Sequence, residues 1–267
     1  MNPAPQIVIK LTGVTTRFGQ HVVHRDLDLS VVQGEILSIV GGSGSGKTTL
    51  LRQMLGLDRP TGGKIEVLGT ALSELTPEQL NALRRHSGVL FQRGALFSAL
   101  TVAENVAFPL RELRTFDEEL IREMTLKRLE MVGLSRADGS KMPAELSGGM
   151  IKRAALARAL ALEPRVVFLD EPTAGLDPES SEAFVELIRE LHRALQLTVV
   201  MITHDLDTLV SLSDRIAVLA DKRVIVAGPI QEVVKVAHPF IQTYFLAGRG
   251  RRALSALSTP AGAIAIC

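Results

Sequence analysis

The chain has 267 residues, of which 46% are hydrophobic and 22% charged, so it can bury a core and lacks the composition of a disordered chain. Its 30 basic and 29 acidic residues give a net charge of +1, which provides no electrostatic argument for nucleic acid or for an acidic substrate. The single cysteine, Cys267, excludes an internal disulfide framework and a cysteine-rich metal site, as fits a reducing cytoplasm.

The first residues carry no basic stretch followed by an apolar one, and we therefore expect no signal peptide. No run approaches the ~20 apolar residues that a membrane helix needs. We expect that the protein is not itself a pore, and that any pore it serves lies on another chain.

Alternating apolar and polar residues at 7–9, 22–31 and 65–67 predict short, partly antiparallel strands, with turns at Gly13 and at Gly62-Gly63. Residues 36–40 are almost continuously apolar, as expected for a strand buried on both faces. A glycine-rich loop follows, and apolar residues then recur at helical spacing.

Residues 93–162 are predicted to be mostly helical, and Ser147 is placed to cap a helix that runs to about residue 162 with Arg and Lys on its exposed face. The apolar runs 166–169, 198–202 and 216–219 predict further strands, separated by helical patterns. This alternation indicates a parallel sheet covered by helices on both faces.

The glycine-rich loop, residues 41–48, reads GGSGSGKT and matches G-x-x-x-x-G-K-[ST] between a predicted strand and a predicted helix. Glycines let backbone N–H groups converge on phosphate oxygens, and the helix N-terminus adds partial positive charge. Lys47 should reach the β- and γ-phosphates of a nucleotide, and the Thr48 hydroxyl should bind Mg²⁺. The alternative is a chance glycine turn. The predicted nucleotide contacts here are Gly41, Gly42, Ser43, Gly44, Ser45, Gly46, Lys47, Thr48 and Thr49.

A second nucleotide-site pattern lies at the end of the strand VVFLD, residues 166–170. This is the Walker B pattern, in which Asp170 would hold Mg²⁺. The next residue, Glu171, could polarise the attacking water as a general base. The alternative is an ordinary acidic pair at a strand end.

Residues 146–150, LSGGM, resemble the LSGGQ signature of ABC ATPases. Ser147, Gly148 and Gly149 at a helix N-terminus form a second anion site, which is redundant within one molecule and makes sense if it closes over a partner's γ-phosphate. The pattern therefore predicts a head-to-tail dimer with two ATP molecules at the interface, the alternative being a plain helix cap. Met150 replaces the usual glutamine and cannot donate a hydrogen bond, but the anion site is kept and we expect activity to survive.

The resemblance to ABC ATPases covers roughly residues 7–247 and implies roles for four more residues. Gln92 resembles the Q-loop glutamine that meets Mg²⁺ or the water and senses the permease. Asp177 resembles the D-loop aspartate that faces the dimer partner, and His204 the switch histidine that contacts the γ-phosphate. Phe18 is placed like the aromatic residue that stacks on adenine. His204 could instead be an ordinary satisfied polar residue, and Phe18 could be core.

The same resemblance implies an α/β fold: a P-loop NTPase (RecA-like) core with a mainly parallel sheet, an antiparallel β subdomain and a helical subdomain at about 93–162. It implies ATP and Mg²⁺ as cofactors, with Lys47, Gln92, Glu171 and His204 as catalytic residues and Thr48, Gln92 and Asp170 around the metal. We expect residues 1–247 to form the ATPase domain and 248–267 a tail that is flexible, frayed or ordered by a partner.

The pieces GALF (94–97), ENVAFPLRE (104–112) and LSGGM look like the ATPases of Mla-type (Mce-linked) phospholipid transporters. That likeness implies a permease touching residues 92–112, a lipid-binding Mce-type subunit with accessory proteins, and a peripheral position on the cytoplasmic face of the inner membrane. One alternative is an importer of amino acids or other small solutes. A distant one is a non-transport ABC ATPase acting on DNA or ribosomes, which the single core, the absence of a long heptad run and the balanced charge disfavour, so we expect no nucleic-acid partner.

Overall fold

Two β-sheets and their covering helices make up residues 6–246, the part of the chain that the computed structural model describes. The strands are β1 (Ile7–Phe18), β2 (His21–Val32), β3 (Ile36–Gly41), β4 (Gly62–Val67), β5 (Thr70–Ala71), β6 (Ser87–Leu90), β7 (Val166–Asp170), β8 (Thr198–Ile202), β9 (Arg215–Ala220) and β10 (Arg223–Gly228). The helices are α1 (Lys47–Met54), α2 (Pro77–Arg84), α3 (Val102–Glu112), α4 (Glu118–Met131), α5 (Arg136–Gly139), α6 (Gly148–Ala159), α7 (Pro178–Leu195), α8 (Leu206–Leu212), α9 (Ile230–Val233) and α10 (Pro239–Phe245). The predicted tail, 248–267, lies outside the described residues.

The larger sheet has the strand order β10-β9-β3-β8-β7-β6. Its strands from β9 to β6 run parallel, and only β10 pairs antiparallel with its neighbour. This confirms the predicted α/β fold with a mainly parallel sheet. Because β3, β8 and β7 are parallel neighbours, the loops after all three leave from one edge of the sheet, which is where ligands bind in such folds.

The smaller sheet is antiparallel, in the order β2-β1-β4-β5, and also confirms the prediction. The predicted turn at Gly13 is wrong, because β1 continues through it to Phe18. Gly13 has φ of +58° and lies where the pairing with β2 shifts register between Leu11 and Val14. The register shift is a β-bulge at Gly13, and the strand continues beyond it. Gly62 and Gly63 likewise begin β4 instead of forming a turn before it.

Strand β7 shows why the sequences of the central strands are almost continuously apolar. Phe168 packs into the cluster that joins the two sheets, whereas Val167 and Leu169 pack into the cluster beneath the helices. Both faces are thus covered, and every residue of β7 except Asp170 is buried. The apolar strand therefore holds its terminal carboxylate at a fixed place on the sheet edge.

The middle of the chain is helical as predicted, but α6 differs in two ways. Ser147 caps it, accepting a hydrogen bond from the Met150 N–H, yet the helix ends at Ala159 instead of near residue 162. The prediction that its basic residues face solvent is wrong for Lys152, which is only 4% exposed. The reason is that this lysine finds hydrogen-bond acceptors inside the protein.

Candidate nucleotide site

The loop between β3 and α1 is packed so closely that glycine is required at two of its positions. A Cβ on Gly41 would lie 2.4 Å from the Leu219 carbonyl oxygen. A Cβ on Gly46, whose φ is +95°, would lie 2.4 Å from Nε2 of the buried His24. The loop thus curls against the larger sheet on one side and against β2 on the other, with its backbone exposed outward.

The N-terminus of α1 has free backbone donors. Its N-cap is Gly46, and no side chain accepts from the first-turn N–H groups, whereas α6 and α7 are capped by Ser147 and Asp177. The first N–H groups of a helix have no partner within the helix and form an anion site. The loop therefore fits a phosphate chain, as its sequence predicts.

Lys47 begins α1 and turns back onto its own loop. Its ammonium donates to the carbonyls of Gly41 at 2.8 Å and Gly42 at 3.0 Å. Burial lowers the pKa of Lys47, and the negative charges of Glu171 and Asp170 oppose that shift. The two carboxylates after β7 are therefore close enough to act on the lysine of the phosphate loop.

Asp170 ends β7 at the edge of the sheet where the phosphate loop begins. Burial, followed by repulsion from Glu171, raises the pKa of Asp170, while Lys152 and Lys47 lower it. Within residues 6–246 there is no cluster of three or more His, Cys, Asp or Glu arranged for a metal. Mg²⁺ fits this arrangement, because it is usually held by one or two carboxylates together with substrate phosphates.

Glu171 adopts a left-handed backbone with φ of +49°, which is uncommon for a residue other than glycine. Its N–H donates to the Ile202 carbonyl at 2.8 Å, fixing it to the end of β8. One carboxylate oxygen lies 2.7 Å from Nδ1 of His204 and accepts the His204 N–H at 3.2 Å. The fold thus brings together two residues that are distant in sequence and were predicted to be catalytic.

Gln92 lies in the exposed loop after β6, and its carbonyl accepts a hydrogen bond from Lys152. Phe18, at the end of β1, is 59% exposed, which rules out the alternative that it belongs to the core. Both residues are exposed to solvent, as their predicted contact with a ligand requires.

The signature residues lie at the N-terminus of α6. Ser147 and Asp177 each cap their own helix, accepting from the N–H groups of Met150 and Ser180. A Cβ on Gly148 would lie 3.6 Å from the Leu176 side chain, so the signature and the Asp177 loop adjoin each other. That the signature closes over the nucleotide of a partner copy stays a prediction.

Two buried polar residues beside the site were missed from the sequence. His24 escaped notice because Asp26, with φ of +47°, interrupts the alternation of β2 and puts His24 on the buried side. Lys152 escaped because a lysine on a helix is normally exposed. Its place within the first two turns of the helix that Ser147 caps was the available signal.

Comparison with known proteins assigns the family. A family model described as "ABC transporter" matches residues 24–174. The chain is 41% identical over 230 residues to the intermembrane phospholipid transport system ATP-binding protein MlaF of Haemophilus influenzae, with 86% of this chain and 87% of that protein covered. This chain is an ABC transporter ATPase.

Two further relatives help to define this ABC ATPase. It is 43% identical over 231 residues to the methionine import ATP-binding protein MetN of Ralstonia nicotianae, covering 85% of this chain and 65% of that protein. Among solved structures it is similar to a dimeric post-hydrolysis ATP-binding cassette bound to ADP and Pi, with 33% identity, a TM-score of 0.76, and 83% of this chain and 98% of that chain covered.

The ABC ATPase is thus the ATP-binding and ATP-hydrolysing subunit of a transporter, with ATP and Mg²⁺ as its cofactors. ABC ATPases act as dimers with membrane permeases. None of the helices in residues 6–246 has the length and apolar character needed to cross a bilayer.

Proposed function

We propose that this ABC ATPase energises phospholipid transport that maintains outer-membrane lipid asymmetry, working from the cytoplasmic face of the inner membrane. The observation that carries the cargo proposal is the 41% identity to MlaF, which extends over 87% of that protein. The GALF, ENVAFPLRE and LSGGM segments support the same assignment. Its partners would be a permease, a lipid-binding Mce-type subunit and accessory proteins.

In the proposed active site, Glu171 is the general base that accepts a proton from the attacking water. His204 holds the Glu171 carboxylate, as the 2.7 Å contact suggests, and also contacts the γ-phosphate. Lys47 exchanges its two loop carbonyls for phosphate oxygens. Thr48, Asp170 and Gln92 would hold Mg²⁺, which neutralises phosphate charge when bound.

We further propose that two copies assemble head to tail, so that Ser147, Gly148 and Gly149 of one close over the nucleotide of the other. The closeness of Gly148 to Leu176 supports the assignment, because it puts the signature beside the loop whose Asp177 resembles a partner-facing residue. Asp177 adjoins the signature and would face the same interface. The ATPase domain in this proposal is residues 1–247, with the helical subdomain at about 93–162.

The permease contact is proposed at an aromatic groove beside the Gln92 loop. Phe91, Phe97 and Phe108 are 39%, 46% and 39% exposed, although large apolar side chains are normally buried. The groove encloses about 340 Å³, and the rings of Phe97 and Phe108 lie 4.9 Å apart. An amphipathic helix on the cytoplasmic side of a permease would place its apolar residues there.

A second candidate function is the import of a small solute. The 43% identity to a methionine import protein favours it, since that value is as high as the identity to MlaF. The ATPase site is the same in both cases, so only the partner chains and the cargo distinguish the two functions.

The test is to tag the Glu171→Gln variant in its source organism, trap it with ATP, and identify by mass spectrometry the proteins and lipids that co-purify. A polytopic permease with a membrane-anchored lipid-binding subunit and bound phospholipid is expected. A permease with a solute-binding protein and no stoichiometric lipid would instead assign small-solute import. Lys47→Ala is the matched control, because it should bind nucleotide weakly and trap no dimer.

A further inference from the structure

Lys152 joins two parts of the nucleotide site that are far apart in sequence. Its ammonium donates to the Gln92 carbonyl at 2.7 Å and to the Glu171 carbonyl at 2.9 Å. It projects from α6, whose first turn carries the signature residues. One side chain thus links the signature helix, the Gln92 loop and the backbone of the proposed base.

This cation is buried at an energetic cost. Desolvation lowers the pKa of Lys152 to about 8, despite the favourable charges of Asp170 and Glu171. Buried charges persist only where they are paired and hydrogen-bonded. An apolar side chain of similar length would fill the same space without that cost, so the contribution of the ammonium lies in the groups it holds.

The Glu171 backbone depends on contacts from both sides. Its N–H donates to the Ile202 carbonyl on β8, and its carbonyl accepts from Lys152 at 2.9 Å and from the Ala174 N–H at 3.2 Å. A residue held at positive φ keeps that conformation only when its surroundings over-determine it. Removing Lys152 leaves the carbonyl only the longer bond from Ala174, so the peptide is held less firmly and the carboxylate can shift with it.

Helix α6 also contacts the Gln92 loop through two other residues. Gly94, with φ of +73°, packs so closely on Ile151 that a Cβ would lie 2.7 Å from its Cγ2. Arg158 donates to the carbonyls of Gly94 at 2.8 Å and Ala95 at 2.7 Å. Of these α6 contacts, the one made by Lys152 also reaches Glu171.

We propose that Lys152 is a positioning residue for hydrolysis, which ties the orientation of Glu171 to the Gln92 loop. The proposal rests on the proposed function, because it takes Glu171 as the base and the Gln92 loop as the neighbour of the permease groove. The partners of Lys152 in the structure are backbone carbonyls. It acts through the Glu171 backbone.

The test measures ATP turnover of the full chain together with the permease that purifies with it. Lys152→Met should lower kcat about 10- to 100-fold, as expected when a catalytic group is misplaced by about 1 Å. KM should stay within about twofold of wild type, because the phosphate loop is untouched. Lys152→Arg should restore most of the rate, since a guanidinium also donates to two carbonyls.

Arg153→Met is the matched control. Arg153 is the next residue on α6, and its guanidinium holds the Val132 carbonyl at 2.7 Å, away from the site. This control loses the same kind of cation–carbonyl bond, so a purely structural effect would appear in both variants. We expect its kcat to stay within about twofold of wild type while its melting temperature falls.

The double variant Lys152→Met/Glu171→Gln distinguishes action through Glu171 from general damage. If Lys152 works through Glu171, the double variant should retain the same residual rate as Glu171→Gln alone, because residues acting as a unit are not additive. The proposal would be overturned if Lys152→Met lowered the turnover rate of the Glu171→Gln variant by the same factor as it lowers the rate of the wild type. Equal kcat values for Lys152→Met and Arg153→Met would also overturn it.

If either result overturns the role of Lys152 while the Glu171→Gln variant is still inactive, the proposed function is unaffected. A Glu171→Gln variant with wild-type turnover would remove the base assignment and the role of Lys152 together.

Discussion

Replacing Gly46 by alanine tests how tightly the phosphate loop is packed against the smaller sheet. Gly46 has φ of +95°, and a Cβ there would lie 2.4 Å from His24 Nε2 and 2.5 Å from a Val23 methyl group. Gly44 is the matched control, because its φ is +74° but nothing lies within 4 Å of its Cβ. The two variants share backbone strain, and only Gly46→Ala adds a steric clash.

The expected magnitudes follow from these contacts. Alanine at positive φ costs about 1–2 kcal/mol, which stiffening of the unfolded chain offsets by about 0.4–1 kcal/mol. Gly44→Ala should therefore lower the free energy of unfolding by about 1 kcal/mol. Gly46→Ala must also displace the fully buried His24, whose Nδ1 lies 3.1 Å from Thr16 Oγ1. Overpacking adds about 1–3 kcal/mol, giving a total loss of about 2–4 kcal/mol.

The assay is urea unfolding of the nucleotide-free chain, comparing midpoints at constant m-value. In a His24→Ala background the clash is partly relieved, so Gly46→Ala should cost less there than in the wild type. Equal destabilisation by Gly44→Ala and Gly46→Ala would refute the reasoning, as would a Gly46→Ala cost that does not change when His24 is removed.

Three further outcomes are expected. Asp170→Asn should abolish Mg²⁺-dependent turnover in a magnesium titration, and unchanged Mg²⁺ dependence would count against its ligand role. Burial lowers the pKa of His24 below its ordinary 6.5, so the unfolded chain binds the proton more tightly and this histidine reduces stability as pH falls through 6.5. His24→Gln should flatten that part of the urea-midpoint profile between pH 7.5 and 5.5, and identical profiles would contradict the assignment. Asn105 is fully buried, donates to the Leu100 carbonyl and accepts from the Phe97 N–H. Asn105→Ala should cost about 2–4 kcal/mol of unfolding free energy by leaving those two groups unpaired, which calorimetry can check.

The sequence predicted those parts of the fold that depend on local chemistry. Strands β7 and β8 were evident because strands covered on both faces are apolar throughout. The phosphate loop was evident because its glycines, lysine and threonine stand at fixed spacing between a strand and a helix. In each case one short segment carries the whole signal.

The features that were predicted wrongly depend on contacts with residues elsewhere in the chain. Whether Gly13 makes a turn or a bulge is decided by β2 and β4, which pair with β1 on either side. Whether Lys152 faces water is decided by the carbonyls of Gln92 and Glu171, which only the assembled fold brings to it. Helical periodicity holds no information about such acceptors, so the lysine was placed on the wrong face.

The two hydrogen bonds from Lys47 to its own loop make nucleotide capture an exchange. A phosphate that binds Lys47 as proposed would displace the Gly41 and Gly42 carbonyls, so the net gain from this lysine would be smaller than its final contacts suggest. On departure of the product the ammonium can return to the same carbonyls, and no bare buried charge is left behind. Such a cation favours rapid emptying of the site over tight retention, which suits an enzyme that must release ADP in every cycle.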